Sequence, residues 1–333
     1  MNTQLTQLLD ISHPLIMAPM FLVSNEAMVK AGIESGVAST FPSLNYRKEG
    51  ELKAVLDRLN QHRAQHAAAR GTYGVNIIVQ KTNPLFQQHL DACVAAKVPL
   101  YITSLGNPKP VIDAAHSYGG VVLCDVTNLV HAKKAADMGC DGFIAVSSGA
   151  GGHAGPYPMH VLVPMLQQAF PDKMVIAAGG IATGRQMASA MVLGAAGVSI
   201  GTRFIASTEA SVSNEYKNAI LEYGMEDIVL TERISGTPCN IINTPVAQKI
   251  GYKQNWFEKF MSKSPRTRKY FKMLVQLRGM KSLEKAVKPG SYHQLWSAGQ
   301  SVAFVEDISS VKAIIDRLIE EYRQSLGAIS ARF

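Results

Sequence analysis

The chain has 333 residues, 47% of them hydrophobic and 17% charged, with a formal net charge of +8. This composition fits a globular protein with a large core, and no run approaches the ~18 uncharged apolar residues of a membrane-spanning helix. The positive excess is local: Lys253 to Lys288 holds eleven Lys or Arg against two Glu, so the rest is close to neutral, and no zinc-finger, RNP or helix-turn-helix pattern points to nucleic acid.

Met1 to Pro14 lacks a basic segment followed by an apolar stretch, so no secretory signal is read there and a cytoplasmic location is expected. From residue 15 to 204 one unit repeats: a short apolar or β-branched run, a polar or glycine-containing turn, then ten or more residues at helical spacing. The runs are Leu15–Met20, Val37–Phe41, Tyr73–Ile78, Leu100–Leu105, Val121–Val126, Gly142–Ser147, Val175–Gly180 and Val198–Phe204. The helical stretches between them include Asn25–Ser35, Glu51–Ala69, Pro84–Ala96, Pro108–Tyr118, Leu129–Met138, Met159–Ala169 and Gly184–Leu193. Strict alternation implies parallel strands, and eight of them in so short a span fit a closed (β/α)8 TIM barrel better than an open doubly wound sheet. The four cysteines, Cys93, Cys124, Cys140 and Cys239, have no C-x-x-C spacing, so neither a metal site nor a disulfide framework is expected.

Barrel active sites are built at the carboxyl ends of the strands. Here those ends are small or polar, including Ala18-Pro19-Met20, Asn76, Thr103-Ser104, Asp125 and Ser147-Ser148. Gly179-Gly180 closes the seventh strand and Ser199-Ile200-Gly201-Thr202 the eighth. The loops after these two strands form the usual phosphate site of the fold, with glycines exposing N–H groups, so a phosphate-bearing ligand is expected. Glycines serving only tight turns are the alternative. The most telling stretch is Ser147-Ser148-Gly149-Ala150-Gly151-Gly152-His153-Ala154-Gly155, where one histidine stands among glycines after an apolar run. Imidazole titrates near neutrality, so His153 there can take a proton from a substrate carbon or return one. The alternative is a loop histidine bonded only to backbone.

After residue 205 the alternation stops. Residues 206–295 read as a smaller, mostly helical lid over the barrel mouth, with a helix around Asn214–Tyr223, a possible strand at Ile228–Arg233 and a basic stretch containing Trp256, Phe257, Phe260, Tyr270 and Phe271 at helical spacing. Residues 296–333 begin with a turn into helix and end in an amphipathic helix, Val311–Leu326, expected to return to the barrel wall on its apolar positions 311, 314, 315, 318, 319 and 322.

Five segments in barrel order resemble the nitronate monooxygenase (2-nitropropane dioxygenase) family of FMN-dependent TIM-barrel oxidoreductases. They are His13-Pro14-Leu15-Ile16-Met17-Ala18-Pro19-Met20, Gly74-Val75-Asn76, Ala150-Gly151-Gly152-His153-Ala154-Gly155, Ala178-Gly179-Gly180-Ile181-Ala182 and Gly201-Thr202-Arg203-Phe204. The resemblance implies FMN held by Gly151, Gly152, Gly179, Gly180, Ser199, Ile200, Gly201 and Thr202, with Asn76 at the isoalloxazine edge and Ala18, Pro19 and Met20 along the ring. It implies His153 as the base, and oxidation of nitronates or nitroalkanes with O2 to carbonyl compounds and nitrite. Flavin-dependent enoyl-thioester and quinone reductases, which use NAD(P)H, share these motifs and form the second reading. The chain departs from the fullest family signature at Val146 and Gly149. It also places Asp125 where some relatives have a lysine near the flavin, and a carboxylate there disfavours negative charge on reduced FMN. Asp125 therefore points away, selects a different substrate, or caps the helix that begins near Asn128. The sequence leaves the substrate and the oligomeric state open, a homodimer included.

Overall fold

The structure, a computed structural model, describes residues 2–80, 82–234, 237–253 and 295–331. Its strands in chain order are β1 (Leu15–Met17), β2 (Ala38–Pro42), β3 (Thr72–Ile78), β4 (Leu100–Ser104), β5 (Val121–Val126), β6 (Gly142–Val146), β7 (Gly152–His153), β8 (Met174–Ala178), β9 (Gly197–Ile200), β10 (Ile228–Thr231) and β11 (Cys239–Ile242). All eight anticipated runs form strands, and β1 to β6, β8 and β9 close into a parallel barrel in which β9 returns to β1 with Leu15 opposite Val198. A helix follows each of the first seven barrel strands, the first being Glu26–Glu34, capped by Asn25, whose side chain accepts the Met28 N–H.

The last barrel strand is shorter than its apolar run suggests. It stops at Ile200, and Thr202–Ile205 forms a helical turn instead. In that turn Arg203 is buried and donates to Asp307 Oδ1 at 2.6 Å and to the Asp307 carbonyl at 3.0 Å, a contact 104 residues away in sequence.

Strand alternation separates two apolar layers. Leu15, Met17, Val175, Ala177, Val198 and Ile200 face outward against the helices, whereas Ile16, Leu100, Ile102, Leu123, Ile144 and Ile176 fill the barrel interior. A short amino-terminal helix, Gln4–Leu9, contributes Leu5 and Leu9 to that interior layer. A Cβ on Gly197 of β9 would lie 2.4 Å from Leu5 Cδ2, so this helix stoppers the amino end of the barrel.

The terminal helix spans Val311–Ser330 and buries Val311, Ile314, Ile315, Leu318, Ile319 and Tyr322, the six expected positions. It packs on the helix Gly184–Val192, where a Cβ on Gly184 would lie 2.3 Å from the Leu318 carbonyl oxygen. The region between barrel and terminal helix holds the helices Asn214–Glu222 and Pro245–Ile250 and an antiparallel sheet ordered β10-β11-β7. Strand β7 belongs to the glycine loop after β6, so barrel and lid share this sheet. The basic, aromatic stretch beyond Lys253 lies outside the described residues. Among the described residues, no helix is long and apolar enough to cross a membrane.

Candidate active site

The carboxyl ends of the barrel strands and the lid enclose a cavity of about 1240 Å3. His153, Asp125 and every residue that the resemblance assigns to FMN line it except Ile200, and Ser147 and Ser148 of the sixth strand end do not. Ile200 is 1% exposed and packs in the outer layer, because the two-residue period of β9 turns Ser199 and Gly201 inward and Val198 and Ile200 outward.

Three adjacent strand ends carry a chain of hydrogen bonds. Asn76 Nδ2 on β3 donates to the Ile102 carbonyl at 3.1 Å and to Ser104 Oγ on β4 at 2.8 Å, and Ser104 Oγ donates to Asp125 Oδ2 on β5 at 2.5 Å. Burial pushes the Asp125 carboxyl up to about 6, against the opposing effect of the Ser104 bond. Asp125 does not cap the helix that follows. Asn128 does, accepting the His131 N–H at 2.9 Å. Ser104 carries weight that its place in a polar strand end signalled only weakly.

The loop after β6 is held from both sides. The Gly180 N–H donates to the Gly149 carbonyl at 3.1 Å, and Ser147 Oγ donates to the Gly179 carbonyl at 3.3 Å. Gly179 has φ +100°, and a Cβ there would lie 2.6 Å from Ala150 N, so glycine is obligatory. From the lid, Asn240 Nδ2 donates to the carbonyls of Ser148 and Ala150 at 2.9 and 2.8 Å. No local pattern marks Asn240 in the sequence, since its role depends on β11 meeting β7.

His153 therefore sits on β7, beyond the end of β6 rather than at it, with its neighbour Gly152 opposite Asn240. Its side chain is open to the cavity, yet enough protein surrounds it that desolvation lowers its pKa below the ordinary 6.5. It is thus held in the neutral form, the state that accepts a proton.

These residues fit a flavin nucleotide. A Cβ on Gly180 would meet no atom within 4 Å, so that wall leaves room for a close ligand. Thr202 Oγ1 accepts the Gly299 N–H at 3.0 Å and keeps its own proton to donate. One expectation needs correction: the Gly180 N–H is committed to Gly149 and is not a phosphate donor.

Comparison with known proteins agrees with this geometry. The family profile described as nitronate monooxygenase matches residues 44–321. A (3aS,4S,5R,7aS)-5-hydroxy-7a-methyl-1-oxo-octahydro-1H-indene-4-carboxyl-CoA dehydrogenase of Rhodococcus jostii is 24% identical, over 99% of this chain and 98% of its own. A probable nitronate monooxygenase of Staphylococcus aureus is 26% identical over 75% of this chain and 80% of its own. The structure of FabK from Thermotoga maritima superposes with a TM-score of 0.84 at 29% identity, covering 100% of both chains. With a stoppered barrel, a glycine-walled cavity at its mouth and a profile match over most of its length, the chain belongs to the nitronate monooxygenase family of FMN-dependent TIM-barrel oxidoreductases.

Proposed function

We propose that the protein is an FMN-dependent oxidoreductase acting on an acyl thioester, exchanging hydride between its carbon chain and NAD(P)H. This reverses the order of the two sequence-based readings, and the size of the cavity carries the change. At about 1240 Å3 it exceeds the roughly 300–1,000 Å3 of a pocket for one drug-sized ligand. The excess over a single ligand supports a flavin and a second molecule sharing the cavity. The full-length likeness to a carboxyl-CoA dehydrogenase supports the same substrate class.

FMN, when bound, supplies a reversible acceptor and donor of hydride. In this reading Ala18, Pro19 and Met20 form the wall along its ring, Asn76 meets the ring edge, and Gly151, Gly152, Gly179 and Gly180 leave space for it. Ser199, Gly201 and Thr202 take the phosphate. His153, held neutral, removes or returns the proton on the carbon next to the thioester carbonyl.

Nitronate oxidation is the second reading, favoured by the same neutral imidazole, which suits removal of a nitroalkane α proton. Anaerobic mixing of the yellow holoprotein separates the two. Rapid bleaching by NADH or NADPH, reversed by an enoyl-CoA such as crotonyl-CoA, is expected. Bleaching by a nitronate but by neither nicotinamide would overturn the thioester reading.

A further inference from the structure

The hydrogen-bond chain Asn76–Ser104–Asp125 has a direction. Ser104 has one proton, and it goes to Asp125 Oδ2, while Ser104 Oγ accepts from the Asn76 amide. The amide of Asn76 is thereby oriented, since its Nδ2 is occupied by Ser104 and the Ile102 carbonyl. Among the described residues, nothing donates to Asn76 Oδ1 or to Asp125 Oδ1, and both side chains line the cavity. A half-buried, desolvated carboxyl with one oxygen satisfied and, among the described residues, no cation on it is costly to ionise.

The charged groups around it do not relieve that cost. Helix Leu129–Asp137 packs on β5 and brings His131 and Lys134 to the cavity, and helix Lys109–His116 packs on β5 with Lys109, Asp113 and His116. Strand β4 adds Tyr101, whose hydroxyl is tied to Tyr118, and β6 adds no titratable side chain. Among the described residues, Cys124, Asp141 and His153 are also near, and Arg47 and Tyr216 line the same cavity. None of them contributes to the upward shift of the Asp125 carboxyl to about 6, which comes from burial.

We propose that Asp125 is a positioning residue that fixes Asn76 through Ser104 and makes the flavin's electron affinity depend on pH, offering the flavin a hydrogen-bond donor when protonated and an opposing charge when ionised. This rests on the FMN reading above. The carboxyl is thus a built-in brake on flavin reduction, released as pH falls.

The test is the midpoint potential of the bound flavin against pH, on holoprotein as purified, for the wild type, Asp125→Asn and Ser104→Ala. Besides any break from the flavin's own N1 proton, the wild type is expected to show a break near pH 6 that Asp125→Asn removes, and the variant's potential should lie above that of the wild type at pH 8. Ser104→Ala removes the bond that favours the ionised form, so its break should move to higher pH. Parallel profiles for the wild type and Asp125→Asn would overturn the proposal. If Asp125→Asn retains no flavin, Ser104→Ala decides alone, and an unmoved break overturns it. Protein purified colourless and unable to take up added FMN would instead sink the cofactor reading itself.

Discussion

Cys239 on β11 stands directly opposite His153 on β7, so the histidine is held by a lid strand and not by the barrel alone. The lid is therefore part of the active-site framework. Its position sets the geometry of the glycine loop.

The residue after Cys239 carries that coupling. Asn240→Ala removes both bonds to the Ser148 and Ala150 carbonyls and leaves two partly buried acceptors unmet, a loss of about 1–3 kcal/mol. Thermal denaturation should show the lower stability, and equilibrium dialysis a weaker hold on FMN. Unchanged values for both would mean that the loop keeps its shape without the lid.

In the oxidative direction, where neutral His153 removes the proton, turnover should rise as pH passes the imidazole's lowered pKa and then level off, whereas in the reductive direction, where it returns the proton, turnover should fall over the same range. His153→Asn should lower the rate of the proton-transfer step by about 10²- to 10⁴-fold and remove the acid limb of the profile. An acid limb that persists in the variant would assign it to another group, with Asp125 next in line.

Asp125 also makes a stability prediction. Its folded-state pKa, about 6, lies above the ordinary 3.8. Below about pH 3.8 it is protonated folded or unfolded, and through the interval up to about 6 the folded state resists ionisation and loses stability relative to the unfolded chain. The loss totals about 3 kcal/mol above that interval. Asp125→Asn should therefore stabilise the protein at pH 8 and have little effect near pH 3.5, measured by urea denaturation at both values.

Asp307 receives Arg203 at 2.6 Å and Arg317 at 2.9 Å, and Arg203 is the buried partner. Asp307→Ala leaves that guanidinium, among the described residues, with the residue-307 carbonyl as its one acceptor and should cost about 1.5–3 kcal/mol. Because Arg203 is shielded, added salt should change the loss little. Asp307→Asn keeps an acceptor and should lose less.

Much of this architecture was legible in the chain because an alternating strand–helix pattern has few ways to fold. The six buried positions of the terminal helix follow from spacing alone. What escaped depended on contacts distant in sequence. Gln4–Leu9 is too short to announce itself as a barrel stopper, and Cys239–Ile242 is only four residues that gain meaning opposite Gly152 and His153. The apolar run of the eighth strand extends beyond the strand itself, and nothing local to Arg203 reveals Asp307. The side chain of Ile200 turns away from the cavity for a simpler reason, the alternation within β9. The glycine loop was read from its residue types, and the bonds that shape it came only with the fold.

The stopper formed by Leu5 and Leu9 has a kinetic consequence. With the amino end of the barrel plugged by this helix, the described residues leave the carboxyl ends of the strands, on the lid side, as the approach to the cavity floor. In the proposed reading, electron donor and electron acceptor take turns at that mouth, and the spent donor leaves before the acceptor enters. Initial-rate plots at several donor concentrations should accordingly run as parallel lines, the signature of a double-displacement enzyme.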